Sequence, residues 1–212
     1  MPSDLQPPAP APAGAPPLHG EPLPIEFANT VFPVRDVLQD LLRVPAGLVW
    51  WLDACRDRLA TQLPAGALRA VTASDVECFV LLRDATRRLI HAYVNHLAPD
   101  PVDVAQVNRV SGVGRSWPLL TWREGALPSA EEVFTAPPLV AVQAEIAHGL
   151  IALLSGASGI EPRACTAPGC VFFFDHARSR RQWCSTGCGN RARAARHYAR
   201  HAGGHRRDSG GR

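Results

Sequence analysis

The stretch CTAPGCVFFFDHARSRRQWCSTGCGNR, which runs from Cys165 to Arg191, decides the fold of the C-terminal part of this 212-residue chain. Its four cysteines form two close pairs, and thirteen residues separate the pairs: Cys165 with Cys170, and Cys184 with Cys188. Two pairs spaced in this way are typical of a tetrahedral site in which four thiolates hold one zinc ion. The spacing therefore predicts a structural Zn²⁺ site with these four cysteines as ligands.

The residues between and after the cysteines predict a small hairpin followed by a helix. Pro168-Gly169 is a turn dipeptide that can bring the first two sulfurs together. Residues 171–174 are apolar and predict a short strand, and residues 175–180 predict a polar turn. Ser185 is a suitable N-cap for a helix over about residues 188–201. A turn, a hairpin and a helix in this order are typical of treble-clef-like zinc modules.

Two other interpretations of the four cysteines are open at this point. A pair of disulfides would suit a small secreted domain, but the sequence shows no secretory signal. Catalytic zinc keeps an open position and takes three protein ligands, whereas four thiolates close the shell. His176 is near enough in sequence to replace one cysteine. The other two cysteines, Cys55 and Cys78, stand alone in helical patterns and are expected to be small core side chains.

The charge of the chain is divided unevenly along its length. Residues 161–212 carry eleven arginines and three acidic residues, a net charge of +8, and residues 1–160 carry eleven arginines and sixteen acidic residues, a net charge of −5. A basic segment on an acidic body indicates an anionic partner, most often nucleic acid. RNA is an alternative to DNA, because Phe172, Phe173 and Phe174 could stack on unpaired bases instead of filling the hairpin core.

The predicted C-terminal helix concentrates much of this positive charge. Arg193, Arg196 and Arg200 share one face because they follow helical spacing. Arginines arranged in this way can follow a phosphate backbone. The alternatives are a solvated helix face or an intramolecular contact with the acidic body. The arginines predicted to contact nucleic acid are Arg178, Arg180, Arg181, Arg191, Arg193, Arg196 and Arg200.

The tetrapeptide Cys188-Gly189-Asn190-Arg191, together with Trp183-Cys184-Ser185 and the two upstream cysteines, resembles the CGNR zinc-finger family over about residues 161–201. The resemblance implies that the four cysteines bind Zn²⁺ and that the arginine-rich helix contacts DNA. In this family the finger commonly follows an ABATE domain, which is described in stress-induced transcription regulators. Residues 23–157 are similar to that domain, and residues 27–31 resemble its opening strand with an Asn-Thr signature.

Read without the family, residues 23–157 still predict one mainly helical domain. Ser74-x-x-Glu77 is a capping-box pattern that opens a helix extending to about residue 95. Further helices are predicted over residues 48–59, 102–110 and 139–154, and a strand over residues 117–122. The predicted fold class is α+β: a mainly helical N-terminal domain with a small sheet, plus a C-terminal treble-clef-like zinc-binding module made of a hairpin and a helix.

The two ends of the chain are predicted to lack stable structure. Nine of the twenty prolines lie between Pro2 and Pro24. A segment so rich in proline and so poor in large apolar residues cannot offset its ordering entropy. The predicted division is a disordered tail over residues 1–22, an ABATE-like domain over residues 23–157, the four-cysteine finger over residues 161–201 and a flexible basic tail over residues 202–212.

The sequence shows no catalytic constellation, and the chain is not expected to be an enzyme. It contains no lysine, so a Gly-Lys-Ser/Thr phosphate loop is excluded. Some polar and aromatic residues of the N-terminal domain could converge on a small-molecule ligand, although capping or turn bonding is the simpler role for each. They are Asn29, Arg109, Arg115, Trp122 and Arg123.

Taken together, these patterns predict a cytoplasmic transcriptional regulator. The finger and its Arg-rich helix would bind DNA, and the N-terminal domain would sense a ligand or contact a partner. The alternative is a zinc-stabilised protein-interaction scaffold without nucleic-acid binding. No membrane partner is expected, because the most apolar region, residues 138–154, is interrupted by Gln143, Glu145 and His148. A homo-oligomer is compatible with the sequence.

Overall fold

The structure is a computed structural model that describes residues 15–35, 37–114, 116–177 and 180–204. The helices are α1 (Leu23–Ala28), α2 (Pro45–Ala54), α3 (Ala65–Arg69), α4 (Ala73–Val94), α5 (Pro101–Val113), α6 (Pro138–Leu154) and α7 (Thr186–Gly204). The strands are β1 (Val31–Val34), β2 (Val37–Asp40), β3 (Ser116–Thr121), β4 (Ser129–Phe134), β5 (Pro162–Ala164) and β6 (Phe173–Asp175). Single-turn 3₁₀ helices at Leu41–Arg43 and Arg56–Arg58 flank α2. The predicted α+β class, with its C-terminal hairpin and helix, is confirmed.

The strands pair only with their neighbours in the chain. β1 and β2, β3 and β4, and β5 and β6 form three separate antiparallel pairs within the described residues. The small sheet expected in the N-terminal domain is therefore two separate two-stranded pairs, β1–β2 and β3–β4. Because a two-stranded sheet is only marginally stable by itself, packing against helices must hold β1–β2 and β5–β6 in place.

Helix α4 runs through the centre of the body and packs against α5, α6 and α1. Its N-terminus is capped by Thr72, whose hydroxyl accepts from the Asp75 N–H, while the Asp75 carboxylate accepts from the Thr72 N–H. The capping box predicted at Ser74 and Glu77 is therefore wrong by two residues. Two overlapping patterns with the same spacing occur here, and spacing alone does not choose between them. The extended backbone of Thr72 decides the choice.

Helix α1 inserts between α4 and α6 and is buried along nearly its whole length. The ring of Phe27 lies 5.1 Å from that of Trp51 and 6.2 Å from that of Phe79, and all three side chains are fully buried. Burial of each such side chain stabilises the fold by about 1.5–3 kcal/mol. The predicted opening strand over residues 27–31 is wrong, because Phe27 and Ala28 complete this helix and β1 begins only at Val31.

Residues 15–22 were predicted to be disordered, but they are packed against the body. Pro16 and Glu21 are buried, and Leu18 lies against the core. The carboxylate of Glu26 accepts the N–H groups of His19 and Glu21 at 3.0 and 2.9 Å, and these bonds offset part of the ordering entropy. Residues 202–204, the start of the predicted flexible basic tail, belong to the last turn of α7, and residues 1–14 and 205–212 lie outside the described residues.

A fully buried arginine, Arg83, joins α4 to the β1–β2 hairpin. Its guanidinium donates to both carboxylate oxygens of Asp40 at 2.8 and 2.7 Å and to the Thr30 hydroxyl at 3.1 Å. A fourth bond, of 2.6 Å, reaches Asp84. Burial by itself raises the pKa of Asp40, but the bonds and charge of Arg83 outweigh it and hold that pKa below its ordinary value. Buried arginines are rare, and the helical pattern gave no sign of this one.

Candidate metal centre

The four predicted ligand cysteines come together at one point. Cys165 directly follows β5, and Cys170 follows the turn after it. Cys184 precedes α7, and Cys188 lies in the first turn of that helix. All four sulfurs lie within 4.8 Å of one another, and only Cys170 is not buried. The elements that bring them together are those predicted from the sequence.

The distances between the sulfurs fit a metal site and not disulfides. The Sγ atoms are 3.7 Å apart for Cys170 and Cys184, 3.4 Å for Cys184 and Cys188, and 3.7 Å for Cys188 and Cys170. Four sulfurs bound at about 2.3 Å to one tetrahedral ion would lie about 3.8 Å apart, whereas a disulfide bond is about 2.0 Å long. All six cysteines are free, and so the disulfide interpretation is excluded for this structure.

The ionisation of these crowded thiols also favours a cation among them. Hydrogen bonds from Cys170 and then Cys184 lower the pKa of the Cys165 thiol, which is the preferred thiolate. The bond to Cys165 is the main cause that raises the pKa of Cys170, and the same partner raises that of Cys184. A single thiolate therefore suppresses ionisation of its neighbours. A divalent ion at the centre would remove that penalty, because coordinated thiols are deprotonated.

Each cysteine pair is held by a local turn. In the first pair, the Cys165 N–H donates to the Phe172 carbonyl at 2.8 Å and the Cys170 N–H to the Ala167 carbonyl at 3.0 Å. Gly169 has a φ of 69°, a left-handed conformation that favours glycine. In the second pair, the Ser185 hydroxyl accepts the Cys188 N–H at 3.2 Å and caps α7. The predicted turn dipeptide and the predicted N-cap are both found.

The CGNR tetrapeptide builds the surroundings of the sulfurs. Arg191 donates from Nη2 to the Cys188 sulfur at 3.0 Å, and this bond raises the pKa of Arg191. Asn190 accepts from the Arg193 guanidinium at 2.6 Å. At Gly189, an added Cβ would lie 3.1 Å from the Trp183 ring, so the absence of a side chain lets that ring pack closely. Arg191 thus supports the Cys188 sulfur directly, whereas Asn190 and Gly189 contact Arg193 and Trp183 beside it.

Trp183 organises the basic face of α7. The guanidinium carbons of Arg193 and Arg196 lie 5.8 and 5.5 Å from its ring centroid. Contacts of this kind stabilise by about 0.5–1 kcal/mol at exposed sites, and they restrict the positions of both side chains. Arg200 is exposed one turn further along the helix. The predicted common face of these three arginines is therefore present.

The other arginines predicted to contact nucleic acid are placed differently. Arg180 is exposed, whereas Arg181 forms an ion pair with the buried Glu21 and lies 5.2 Å over the Phe174 ring. The guanidinium of Arg191 is directed at a cysteine sulfur. Arg178 lies outside the described residues. The assignment of these four as nucleic-acid contacts stays a prediction.

The finger is joined to the body by specific polar contacts that the sequence did not indicate. The side-chain amide of Asn29 donates to the Phe173 carbonyl and accepts the Phe173 N–H, both at 2.9 Å. Asn29 thus pairs with β6 as a strand would. Arg87 of α4 donates to the Val171 carbonyl at 3.3 Å and lies 5.6 Å over the Phe173 ring. Burial lowers the pKa of Arg87 to about 10. Glu21 accepts the Asp175 N–H at 2.9 Å.

These contacts give Asn29 a role other than the predicted one in a small-molecule site. Asn29 was grouped with four other residues that could converge on a small molecule. Its amide is buried and fully engaged with Phe173, so it belongs to the joint between finger and body instead. Trp122 is 70% exposed beyond the end of β3. Arg109 donates to Gln106 on the surface of α5, and Arg115 lies outside the described residues.

Fold and site together define a helical domain that carries a four-cysteine module of the zinc-finger class. Two family models match the chain: residues 21–157 match ABATE, described as "Putative stress-induced transcription regulator", and residues 162–201 match the CGNR zinc finger. The chain therefore belongs to the ABATE family and carries a CGNR finger, as the motifs had indicated. A search of curated proteins gave no match. Within the described ranges, every helix is too short or too polar to cross a membrane.

Proposed function

We propose that this chain is a transcriptional regulator that binds DNA through its finger and the basic face of α7. One observation carries the proposal: the cysteine cluster fixes the first turn of α7, and the same helix presents Arg193, Arg196 and Arg200 to solvent. Arginines on a rigid helix make charge-assisted bonds to phosphates at a low entropic cost. The net charge of +8 over residues 161–212 adds long-range attraction. The proposed role is binding in the cytoplasm, without a catalytic step.

We also propose that Zn²⁺ is the metal. A buried tetrahedral set of four thiolates suits zinc, which has no geometric preference of its own. Cys165, Cys170, Cys184 and Cys188 would fill its coordination shell, and the ion would supply folding stability with no open position for a substrate. Elemental analysis of the purified chain should give one zinc per chain. A different metal would contradict this assignment, and so would a fully folded chain that contains no metal.

A salt series tests the proposed DNA binding. The metal-loaded chain should bind sheared genomic DNA with an affinity that falls steeply as KCl rises, because phosphate contacts release counterions. The triple variant Arg193→Ala/Arg196→Ala/Arg200→Ala should lose most of that binding. A matched control, Arg69→Ala/Arg109→Ala/Arg123→Ala, removes the same charge from exposed positions on the body. It should retain binding.

The same experiment can overturn the proposal. Absent or salt-independent binding by the zinc-loaded chain would do so, as would an equal loss in the two triple variants. The second result would mean that overall charge, and not the face of α7, attracts DNA. Metal content and thermal stability of each variant have to match the wild type, so that a loss of binding is not a loss of fold.

A cavity in the body supports the further proposal that this domain senses a small molecule. It has a volume of about 360 Å³ and lies among the C-terminal parts of α4 and α6 and helix α5. Its lining is mostly apolar, and such a volume falls in the range of small-molecule sites. Leu89 lines the cavity two residues after Arg87, which contacts the finger. The dye 1-anilinonaphthalene-8-sulfonate should bind the wild type and not Ala92→Trp, which fills the cavity.

One observation favours the alternative function of a protein-interaction scaffold. The β3–β4 hairpin projects large apolar side chains into solvent, although most exposed hairpins carry polar ones. These side chains are Trp117, Leu119, Leu120, Trp122 and Leu127, which are 46–89% exposed. A partner that is captured after nuclease treatment by the wild type and lost in Leu120→Ser/Trp122→Ser would support this function.

A further inference from the structure

A basic cleft lies beside the cysteine cluster, between the hairpin of the finger and α7. Its volume is about 240 Å³. Arg163 of β5 and Arg196 of α7 both line it, although 32 positions separate them in the sequence. Thr166, His176 and Gln182 add polar groups, and the ring of Trp183 forms part of the wall. The cleft therefore combines two arginines from different elements with neutral hydrogen-bonding groups.

Among the residues that the structure describes, no carboxylate neutralises the positive charge of Arg163 and Arg196 in this cleft. None of its lining residues is acidic. A third arginine of the lining, Arg181, forms an ion pair with the buried Glu21. By contrast, Arg163 and Arg196 are exposed, and neither forms an ion pair within the described part of the chain. Two unpaired guanidinium groups facing one concavity attract an anion more strongly than either does on an open surface.

Several side chains of the cleft are held in place before any ligand arrives. The guanidinium of Arg196 lies 5.5 Å over the Trp183 ring, and Arg193 lies over the same ring. The Nδ1–H of His176 donates to the Arg181 carbonyl at 3.0 Å, which fixes the imidazole. Ordered donors lose little entropy on binding, so they bind tetrahedral anions more tightly than free side chains.

We propose that this cleft binds a phosphate group of the DNA backbone, with Arg163 and Arg196 as its cationic partners and Thr166 and Gln182 as neutral donors. The inference rests on the proposed DNA binding, because Arg196 belongs to both surfaces. The volume equals that of about eight liquid water molecules, which is enough for a phosphate group and part of its hydration. Arg163 extends the contact beyond α7, to a strand on which no nucleic-acid contact was predicted.

A second cleft gives the backbone a path beyond the finger. It has a volume of about 570 Å³ and shares Arg163 and Thr166 with the first. Its other side is formed by the C-terminal end of α4, with Asn95 and His96. The carboxylate of Glu161 also lines this cleft, so a strand whose phosphate sits at Arg163 would continue between finger and body past one negative charge. The body would then take part in DNA binding directly.

The test uses the full metal-loaded chain and a fluorescent pool of random-sequence duplex DNA in a KCl series. Arg163→Gln should lower the slope of log affinity against log salt by about 0.9, because one phosphate contact is lost. Arg163→Lys should restore the slope, since the charge returns. The matched control, Arg109→Gln, removes an exposed arginine from α5 and should leave the slope unchanged. Competition by inorganic phosphate, at an ionic strength matched with chloride, shows whether the cleft prefers free phosphate.

The outcomes separate this inference from the function on which it rests. If the wild type binds DNA and Arg163→Gln binds with the same affinity and the same salt slope, the cleft does not contact DNA. That result refutes this inference and leaves the proposed DNA binding intact. If the wild type shows no salt-dependent binding, the proposed function fails and the cleft assignment with it. Inorganic phosphate could displace DNA from the wild type more strongly than chloride does at the same ionic strength. If Arg163→Gln abolishes that difference, the ligand of the cleft is free phosphate and not the DNA backbone.

Discussion

The body and the finger of this protein are stabilised in different ways. The body packs large buried side chains such as Phe27 and Trp51 against α4, which contributes Phe79 and Leu82 to the same core. The finger, matched over residues 162–201, has little more than Phe172, Phe173 and Phe174 for a core of its own. Domains of about 40 residues cannot bury enough apolar surface to fold alone, and metals commonly make up the difference.

The finger therefore depends on two supports outside its own core. One is the ion that four cysteines can hold, and the other is the body. Asn29, Arg87 and Glu21 supply hydrogen bonds to the backbone of the hairpin, and the buried side chains of both regions form one continuous cluster. The body depends less on the finger, because α1, α2, α4 and α6 supply it with a large buried core of their own. Four substitutions test this difference between finger and body.

The largest effect is expected from Cys184→Ser. The variant should lose its stoichiometric metal, and residues 161–201 should unfold, because structural zinc in fingers contributes on the order of 10 kcal/mol or more. Limited proteolysis and hydrogen exchange should show protection retained in α4 to α6 but lost in α7. Protection at Asn29 and residues 15–22 should weaken as well. Retention of one metal per chain with native exchange would mean that the ligand set is wrong.

A large effect confined to the body is expected from Asp40→Asn. The change leaves the fully buried guanidinium of Arg83 short of its main counter-ion, at a cost of about 3–5 kcal/mol in the free energy of unfolding. Urea denaturation measures the cost, and Asp57→Asn, at an exposed position, is the control. Because the pKa of Asp40 lies below its ordinary value of 3.8, the stabilisation that this shift reflects is present above that pH and is lost in the wild type as the pH falls through the lowered pKa. Equal midpoints for the two variants would refute this account.

An intermediate effect is expected where the two regions meet. Asn29→Ala leaves the N–H and carbonyl of Phe173 without partners at a buried site, which should cost about 2–4 kcal/mol. The loss should appear as earlier unfolding of the finger in hydrogen exchange with metal bound, while α5 and α6 keep their protection. Asn108→Ala, at an exposed position of α5 beside the cavity of the body, provides the control. If both alanine variants behave alike, the joint does not stabilise the finger.

The smallest effect is expected from Arg191→Gln, which removes the N–H···S bond to Cys188. Groups that bond to a metal ligand typically change metal affinity by about 10–100-fold, and a weakening of this size is expected. Competition with a chromophoric chelator measures it. Arg200→Gln removes the same charge further along α7 and should leave metal affinity unchanged. An equal change in both would assign the effect to overall charge.

Much of the finger could be predicted from the sequence because its determinants are local. Cysteine spacing, the Pro168-Gly169 turn and the Ser185 cap each act within a few residues, and all three are found as expected. The start of α4 could not be placed from the sequence, because two equivalent capping patterns overlap at Thr72 and Ser74. Only the backbone conformation distinguishes them. The strand expected at Phe27 failed because full burial between α4 and α6 holds this short segment as a helix.

The chemistry of the protein could be read from the chain alone: a four-cysteine metal site, a basic C-terminal helix and a mainly helical acidic body. Spacing and charge are properties of the chain, so they are readable before it folds. Three features required the folded structure: Asn29 pairs with Phe173, Arg83 is buried against Asp40, and Arg163 shares a cleft with Arg196. Each of these pairs is separated by at least 30 positions, and contacts at that distance exist only after the elements pack.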